Sequence, residues 1–300
     1  MTRQIGYLQP LPGWVNKLVI WFQLNDIKGG YTFYRFMKKH FANRYVRYEF
    51  TDAEFVLPVN EWCFWLEGGP DNYYPDEFGP FCELLNKLDS FTFLDLGADI
   101  GTVSALVSRN CPQLKNILAF EPNPGSFSML LHNMNALSIP ALAVNQAVSD
   151  FVGKVSFASG NTHSGDHEGH ILPDKPGETP VTSIDRFLSE TSFELSNTLV
   201  LKIDVEGQEV QAIKGALGTI SNAGGVVLLL EIHPDVLAQQ GQSPEDIFSQ
   251  IEAMLQINWF VPKFSMRAVD RESEFFSQFP EQQYDLIAIT PSLAHLINHG

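Results

Sequence analysis

Short continuous apolar runs alternate, over the last two-thirds of the chain, with stretches whose apolar residues recur three and four apart. Phe91–Leu96 is an unbroken run ending in Asp-Leu-Gly, which predicts a strand buried on both faces. Thr102–Arg109 places Val103, Leu106 and Val107 on one helical face. Asn116–Phe120 reads as the next strand. Ser126–Leu137 carries Phe127, Leu130, Leu131 and Met134 at helical spacing, with Pro124 suited to a first turn. Ala141–Val144 predicts a third strand, Ala147–Ala158 a hairpin turning at Phe151-Val152-Gly153, and Ser159–Pro180 a loop. Ser183–Leu188 starts a short helix, Thr198–Ile203 is a strand, and Gln208–Leu217 is amphipathic. Gly225–Ile232 predicts a strongly buried strand and Pro244–Leu255 a helix; Ile257–Phe264 and Tyr284–Thr290 are the last two strands.

Repeated strand–helix–strand order predicts an α/β fold, a doubly wound and mostly parallel sheet with helices on both faces. The long connection Ser265–Gln283 between the last two strands fits an antiparallel edge strand. Ligands of such sheets lie beyond the C-terminal strand ends, where strand order reverses, so the first βα turn is the place to look. Composition shifts near residue 90. Before it the chain is aromatic and turn-rich (Tyr31, Phe33, Tyr34, Phe36, Trp62, Phe64, Trp65, then GGPDNYYPDEFGP), and ordinary core packing accounts for most of these rings. The expected division is an N-terminal aromatic-rich cap or extension over residues 1–84 and a main domain over 85–300.

Hydrophobic residues at 44% and charged residues at 18% exclude disorder and coiled coil. Nineteen Lys and Arg stand against 35 Asp and Glu, a net charge of −16. Such a field repels phosphate backbones and anionic headgroups, so neither nucleic acid nor membrane is expected as a partner. No apolar run approaches the length of a bilayer span, and the N-terminus lacks the basic-then-apolar order of a signal peptide. Cys63, Cys82 and Cys111 are widely spaced and odd in number, which suits neither a disulfide framework nor a zinc site. A reduced, cytoplasmic protein is the expectation.

The first βα turn reads Leu94-Asp95-Leu96-Gly97-Ala98-Asp99-Ile100-Gly101. Its glycines remove side chains where a ligand approaches backbone, at a helix N-terminus that offers N–H groups. A dinucleotide fingerprint opened at Gly97 needs glycines where Asp99 and Thr102 stand, which disfavours NAD and FAD, and no Gly-Lys-Ser/Thr follows for a nucleotide-triphosphate loop. A tight turn flanked by Asp95 suits a ligand bearing an ammonium and a carboxylate. Glu121 ends the second strand, where a carboxylate accepts from both hydroxyls of a ribose. Alternatively the glycines only permit strand–helix packing and Glu121 is a solvated turn residue.

DLGADIG followed by AFEPNP resembles the S-adenosyl-L-methionine site of class I methyltransferases. KIDVEGQE at 202–209, with Lys214-Gly215 after it, is similar to the signature of the FkbM-type methyltransferase family. Ala147-Val148-Ser149-Asp150 with Gly153, Val181-Thr182-Ser183-Ile184-Asp185 and Glu231-Ile232-His233-Pro234 extend the resemblance over roughly Asp52–Thr290. Asp99 and Thr102 depart from it, since the family usually has Asn and commonly an aromatic there. The resemblance implies a seven-stranded Rossmann-like sheet and methyl transfer from S-adenosyl-L-methionine to a small-molecule acceptor, by O-methylation of a sugar or secondary-metabolite hydroxyl. It implies that Asp95, Gly97, Ala98, Asp99 and Gly101 hold the methionine part and Glu121 the ribose, with Asn123 contributing through its backbone. Gln146 and Ala147 would meet the adenine, and Asp204 would lie next to the sulfonium.

A hydroxyl acceptor needs a base. Asp204, Glu206 and His233 are candidates because each stands at or just beyond a predicted C-terminal strand end. Lys202 shares a strand face with Asp204 and reads equally as the neutralising partner of buried acids. The loop His163–His170 holds three His with Asp and Glu, but its spacing suits a mobile lid, with His163 near the acceptor, better than a metal site, and no metal is expected. The aromatic N-terminal segment also suits cover over the acceptor or a homodimer face. Two rival readings are a non-catalytic module that keeps the cofactor pocket and an NAD-dependent oxidoreductase.

Overall fold

The computed structural model describes residues 5–25, 28–50, 53–60, 69–158, 170–172, 175–234, 237 and 241–297. Its strands, in chain order, are β1 (Gln9–Pro10), β2 (Arg44–Phe50), β3 (Ala53–Pro58), β4 (Phe91–Leu96), β5 (Leu114–Phe120), β6 (Ala141–Val144), β7 (Ala147–Val148), β8 (Gly153–Ala158), β9 (His170–Leu172), β10 (Thr179–Thr182), β11 (Thr198–Ile203), β12 (Gly225–Ile232), β13 (Asn258–Val261), β14 (Arg267–Ala268) and β15 (Tyr284–Ile289).

Eight of these form the central sheet, ordered β14-β13-β15-β12-β11-β4-β5-β6. From β6 to β12 every pairing is parallel. That is why β4, β11 and β12 are almost wholly apolar, for a parallel sheet is covered on both faces. On one face Phe93, Ile117, Val200, Leu229 and Ile287 pack with helices Pro75–Leu85, Thr102–Asn110 and Pro124–Ala136. On the other Leu94, Leu201, Ile203 and Leu228 pack with helices Glu209–Lys214 and Pro244–Glu252. The chain runs outward from β4 through β5 to β6, then returns to β11 and β12 on the other side of β4. Strand order therefore reverses between β4 and β11.

Two details differ from the sequence reading. The strand β15 inserts antiparallel between β12 and β13, and the two-residue β14, antiparallel to β13, makes the edge and an eighth strand. The segments β7 and β8 do not form a hairpin. They belong to a small sheet ordered β7-β10-β8-β9, in which β10 runs parallel to β7 and antiparallel to β8. The turn at 151–153 therefore leads away from β7, and the stretch read as loop supplies β9 and β10. The helix Pro75–Leu85 packs on the central sheet through Phe78, Phe81 and Leu85.

The N-terminal strands form their own sheet, β1-β2-β3, covered by helices Gly13–Leu24 and Gly30–Phe41. Its core of Leu8, Val19, Met37, Tyr45 and Val56 is continuous with Ile100, Ala105 and Met129. Asn133 fixes the junction. Its amide donates to the carbonyls of Val56 (2.9 Å) and Ile100 (2.8 Å), and its oxygen accepts from Val56 N–H.

Candidate active site

The turn after β4 is built by three residues in the left-handed region: Gly97 at φ 80°, Asp99 at φ 47° and Gly101 at φ 87°. Gly97 has no alternative, since a Cβ there would sit 1.8 Å from the carbonyl oxygen of Asp204. Asp99 is tolerated because Asp and Asn are the non-glycine residues that most readily adopt this conformation. The exchange of one for the other at this position is therefore conformationally neutral. The N–H groups of Gly97 and Ala98 both donate to Phe120 O (3.1 and 2.9 Å), which pins the turn to the end of β5. The helix Thr102–Asn110 then starts without a side-chain cap, so its first N–H groups face the turn available to a carboxylate.

Glu121 is buried beside this turn. One carboxylate oxygen accepts from Asp99 N–H (2.8 Å), the other from Asn123 N–H (2.7 Å). Each oxygen keeps a second lone pair. Burial, reinforced by the negative charge of Asp99, outweighs those two donors and pushes the Glu121 carboxyl up to about 8. Asn123 uses its side chain to cap the helix Pro124–Ala136 through Gly125 N–H. Asn145, which the sequence reading did not single out, ties the end of β6 to β5 by donating to Glu121 O and Pro122 O (2.8 and 3.1 Å). Next to it Gln146 holds a buried amide oxygen without a hydrogen-bond partner, while Ala147 is buried in β7 against Val181.

Across the switch point, Lys202 is the hub. Its buried ammonium donates to Gly97 O and to Asp204 Oδ2, each at 2.9 Å, and lies 3.6 Å from Asp95 Oδ1. The other oxygen of Asp95 accepts from Ser104 Oγ (2.6 Å). Burial raises the Asp95 carboxyl more than Lys202 and Ser104 lower it. For Lys202, burial pulls the pKa down, but Asp204 and Asp95 outweigh it and hold the ammonium protonated. Lys202 thus neutralises buried acids, and it does so against the backbone of the glycine turn.

Beyond β11 the chain turns through Glu206 (φ 50°) and Gly207 (φ 85°), and Glu209 accepts from Gly207 N–H (2.9 Å). Glu206, Glu209, Glu231 and His233 line one cleft at the ends of β11 and β12, and His233 Nδ1 is buried without a hydrogen-bond partner. Asp204, Glu206 and Glu231 bring carboxylate oxygens within 4.8 Å of one another, the group among the described residues that could hold a metal ion. No spacing along the chain announces this group, because Glu231 joins only through strand register. Asp285, opposite Glu231 on β15, adds a further acid; burial, then neighbouring carboxylates, raises both carboxyls. His163 and the side chains of the loop around it lie outside the described residues.

The other motif residues fold the chain. Asp185 accepts from Gly218 N–H, Thr219 N–H and Thr219 Oγ, and a Cβ on Gly215 would meet Ser149 O at 2.1 Å.

A sheet in this order, with a glycine turn after its first strand and acids at the ends of the next strands, defines the class I methyltransferase fold, whose cofactor is S-adenosyl-L-methionine. The model of the methyltransferase FkbM domain matches residues 95–258, and the chain belongs to that family. It is 28% identical over 158 residues to the hexuronic acid methyltransferase AglP of Haloferax volcanii, an alignment covering 51% of this chain and 58% of that protein. The chain thus spans little more than half the length of that relative. Among solved structures, the methyltransferase FkbM of Methylobacillus flagellatus is 16% identical with a TM-score of 0.40, covering 75% of this chain and 52% of that one. A methyltransferase of Agrobacterium tumefaciens is 8% identical with a TM-score of 0.43, covering 82% and 69%.

Proposed function

We propose that this protein methylates a hydroxyl of a sugar acid or a related small polyhydroxylated molecule, using S-adenosyl-L-methionine held across the ends of β4, β5 and β11. The observation that carries this reading is the convergence of Asp95, the 97–101 turn, Glu121 and Asp204 on the point where strand order reverses. The cofactor fits the donors and acceptors there. Glu121 keeps two lone pairs for ribose hydroxyls, Gln146 keeps an unused buried acceptor for an amino group, and the uncapped helix at Thr102 offers N–H groups to a carboxylate. Asp95, Gly97, Ala98, Asp99 and Gly101 are its methionine side, Asn123 and Ala147 its flanks. Bound, the cofactor supplies an electrophilic methyl on a cation, which an acid-rich cleft favours.

The chain's own part is positioning and proton removal. Lys202 fixes the Gly97 carbonyl and Asp204 relative to each other, so that the acceptor meets the methyl in line. Glu206 and His233 line the cleft and Asp204 lies beside Glu206, so all three are candidate bases; His233 Nδ1, buried and unpartnered, is an acceptor for the hydroxyl proton. The sequence reading adds His163, which lies outside the described residues. The identity of the relative as a hexuronic acid methyltransferase supports the acceptor class. We place the enzyme in the cytoplasm. Among the described residues no helix is long and apolar enough to cross a membrane.

Calorimetric titration with S-adenosylhomocysteine, followed by transfer of labelled methyl to glucuronic and galacturonic acid glycosides, tests this reading. Binding with label in the sugar is expected; no binding at millimolar ligand refutes the site, and binding without transfer to any hydroxylated acceptor favours the non-catalytic module.

A further inference from the structure

We infer that the N-terminal helix pair docks on an anionic lipid surface. The helix Gly13–Leu24 buries one side through Val15, Asn16, Val19 and Gln23 and leaves the other apolar apart from Lys17. Trp14 is 73% exposed, Trp21 52% and Leu24 65%, with Leu18 between them. Residues 14, 18 and 21 fall at i, i+4 and i+7, so they form one stripe. The helix Gly30–Phe41 packs beside it, with Phe33 stacked on Phe22 at 4.1 Å, and exposes Tyr31 and Phe36 among Arg35, Lys38, Lys39 and His40. Single exposed apolar residues are ordinary; a stripe with two tryptophans marks a binding face.

Charge selects the occupant. Residues 1–50 hold eight Lys and Arg against two acids, a net +6, whereas residues 51–300 hold 11 against 33, a net −22. The overall −16 therefore hides a basic end on an acidic body. A two-fold contact between copies through this face would set Lys17, Arg35, Lys38 and Lys39 against the same cations of the other copy. An anionic bilayer complements it, holds the acidic body away, and accepts Trp, Leu and Tyr at the depth where such rings partition. A helix of 12 residues is too short to span the bilayer and lies on it.

The inference rests on this surface alone, not on the site. The full chain is sedimented with phosphatidylcholine vesicles with and without phosphatidylserine. Binding to the phosphatidylserine vesicles only is expected, with a blue shift of tryptophan emission and release by high salt. R35E/K39E is expected to lower the partition coefficient at least about tenfold, and W14S/W21S to abolish the emission shift; both pairs are exposed, and far-ultraviolet circular dichroism checks that they fold. No binding at low ionic strength overturns the inference, as does binding that neither variant alters. A dimer that W14S/W21S turns into a monomer also overturns it, because a second copy then covers the face.

Discussion

Replacing Lys202 by Met keeps most of the apolar stem of the side chain and removes its charge. In the folded chain that charge is held 2.9 Å from Gly97 O, 2.9 Å from Asp204 and 3.6 Å from Asp95 Oδ1, an oxygen with no hydrogen-bond partner of its own. Removing one member of a buried ion group costs about 3–5 kcal/mol, because the charge left behind is unpaired. The Asp204 side chain is 35% exposed, so water takes over part of its share. The expected loss therefore lies near the low end, about 3 kcal/mol. Urea unfolding at neutral pH, followed by tryptophan fluorescence, measures it. A second signature comes from pH. Without Lys202, the already raised Asp95 carboxyl rises further, so the folded variant holds a proton that the unfolded chain gives up. Such a group stabilises the fold below its unfolded pKa and loses that contribution as pH rises through the folded value. The gap between variant and parent should thus narrow as pH falls toward about 4. Affinity for S-adenosylhomocysteine should drop as well, since the Gly97 carbonyl loses its anchor. A stability loss under about 1 kcal/mol, with unchanged affinity and a gap independent of pH, would refute the assigned role.

Gly97→Ala should be far more damaging than Gly101→Ala. The first drives a Cβ to 1.8 Å from a backbone carbonyl, while the second meets only the ends of Leu130 and Met134 at 2.9 Å; thermal melting of both ranks them, and equal losses contradict the geometry. With Glu121 pushed up to about 8 from an ordinary 4.5, the ligand-free protein should lose stability as pH rises between those values, and Glu121→Gln should flatten that slope in melts recorded across pH. Asp185→Ala, which uncaps Gly218 and Thr219, should cost about 1–2 kcal/mol in urea unfolding yet leave S-adenosylhomocysteine affinity unchanged.

The parts of the site legible in the sequence are those a few neighbouring residues dictate. A strand of six buried residues followed by glycines at 97 and 101 announces a βα turn, because left-handed backbone and a close strand crossing admit little else. Glu121 was visible for the same reason, standing at the end of the next apolar run. Its use as a brace for Asp99 and Asn123 was not visible, since the N–H groups it meets come from the turn as folded. The hairpin expected at 147–158 failed because local alternation cannot say which strand lies next to which; β10, more than twenty residues away, takes the place between β7 and β8.

Sequence alone determined the order of the strands and helices of the central sheet and the glycine turn after β4, because apolar periodicity and glycine placement act over a few residues, and its motifs carried the family resemblance. Tertiary structure decided which acids meet. Lys202 bridges Asp95 and Asp204, and Glu231 faces Asp285, only because parallel register and the insertion of β15 bring distant segments side by side. It also decided which aromatic rings are core and which, like Trp14 and Trp21, face outward. Strand register and the facing of a helix are set by the sum of many long-range contacts, and no short stretch of chain encodes that sum.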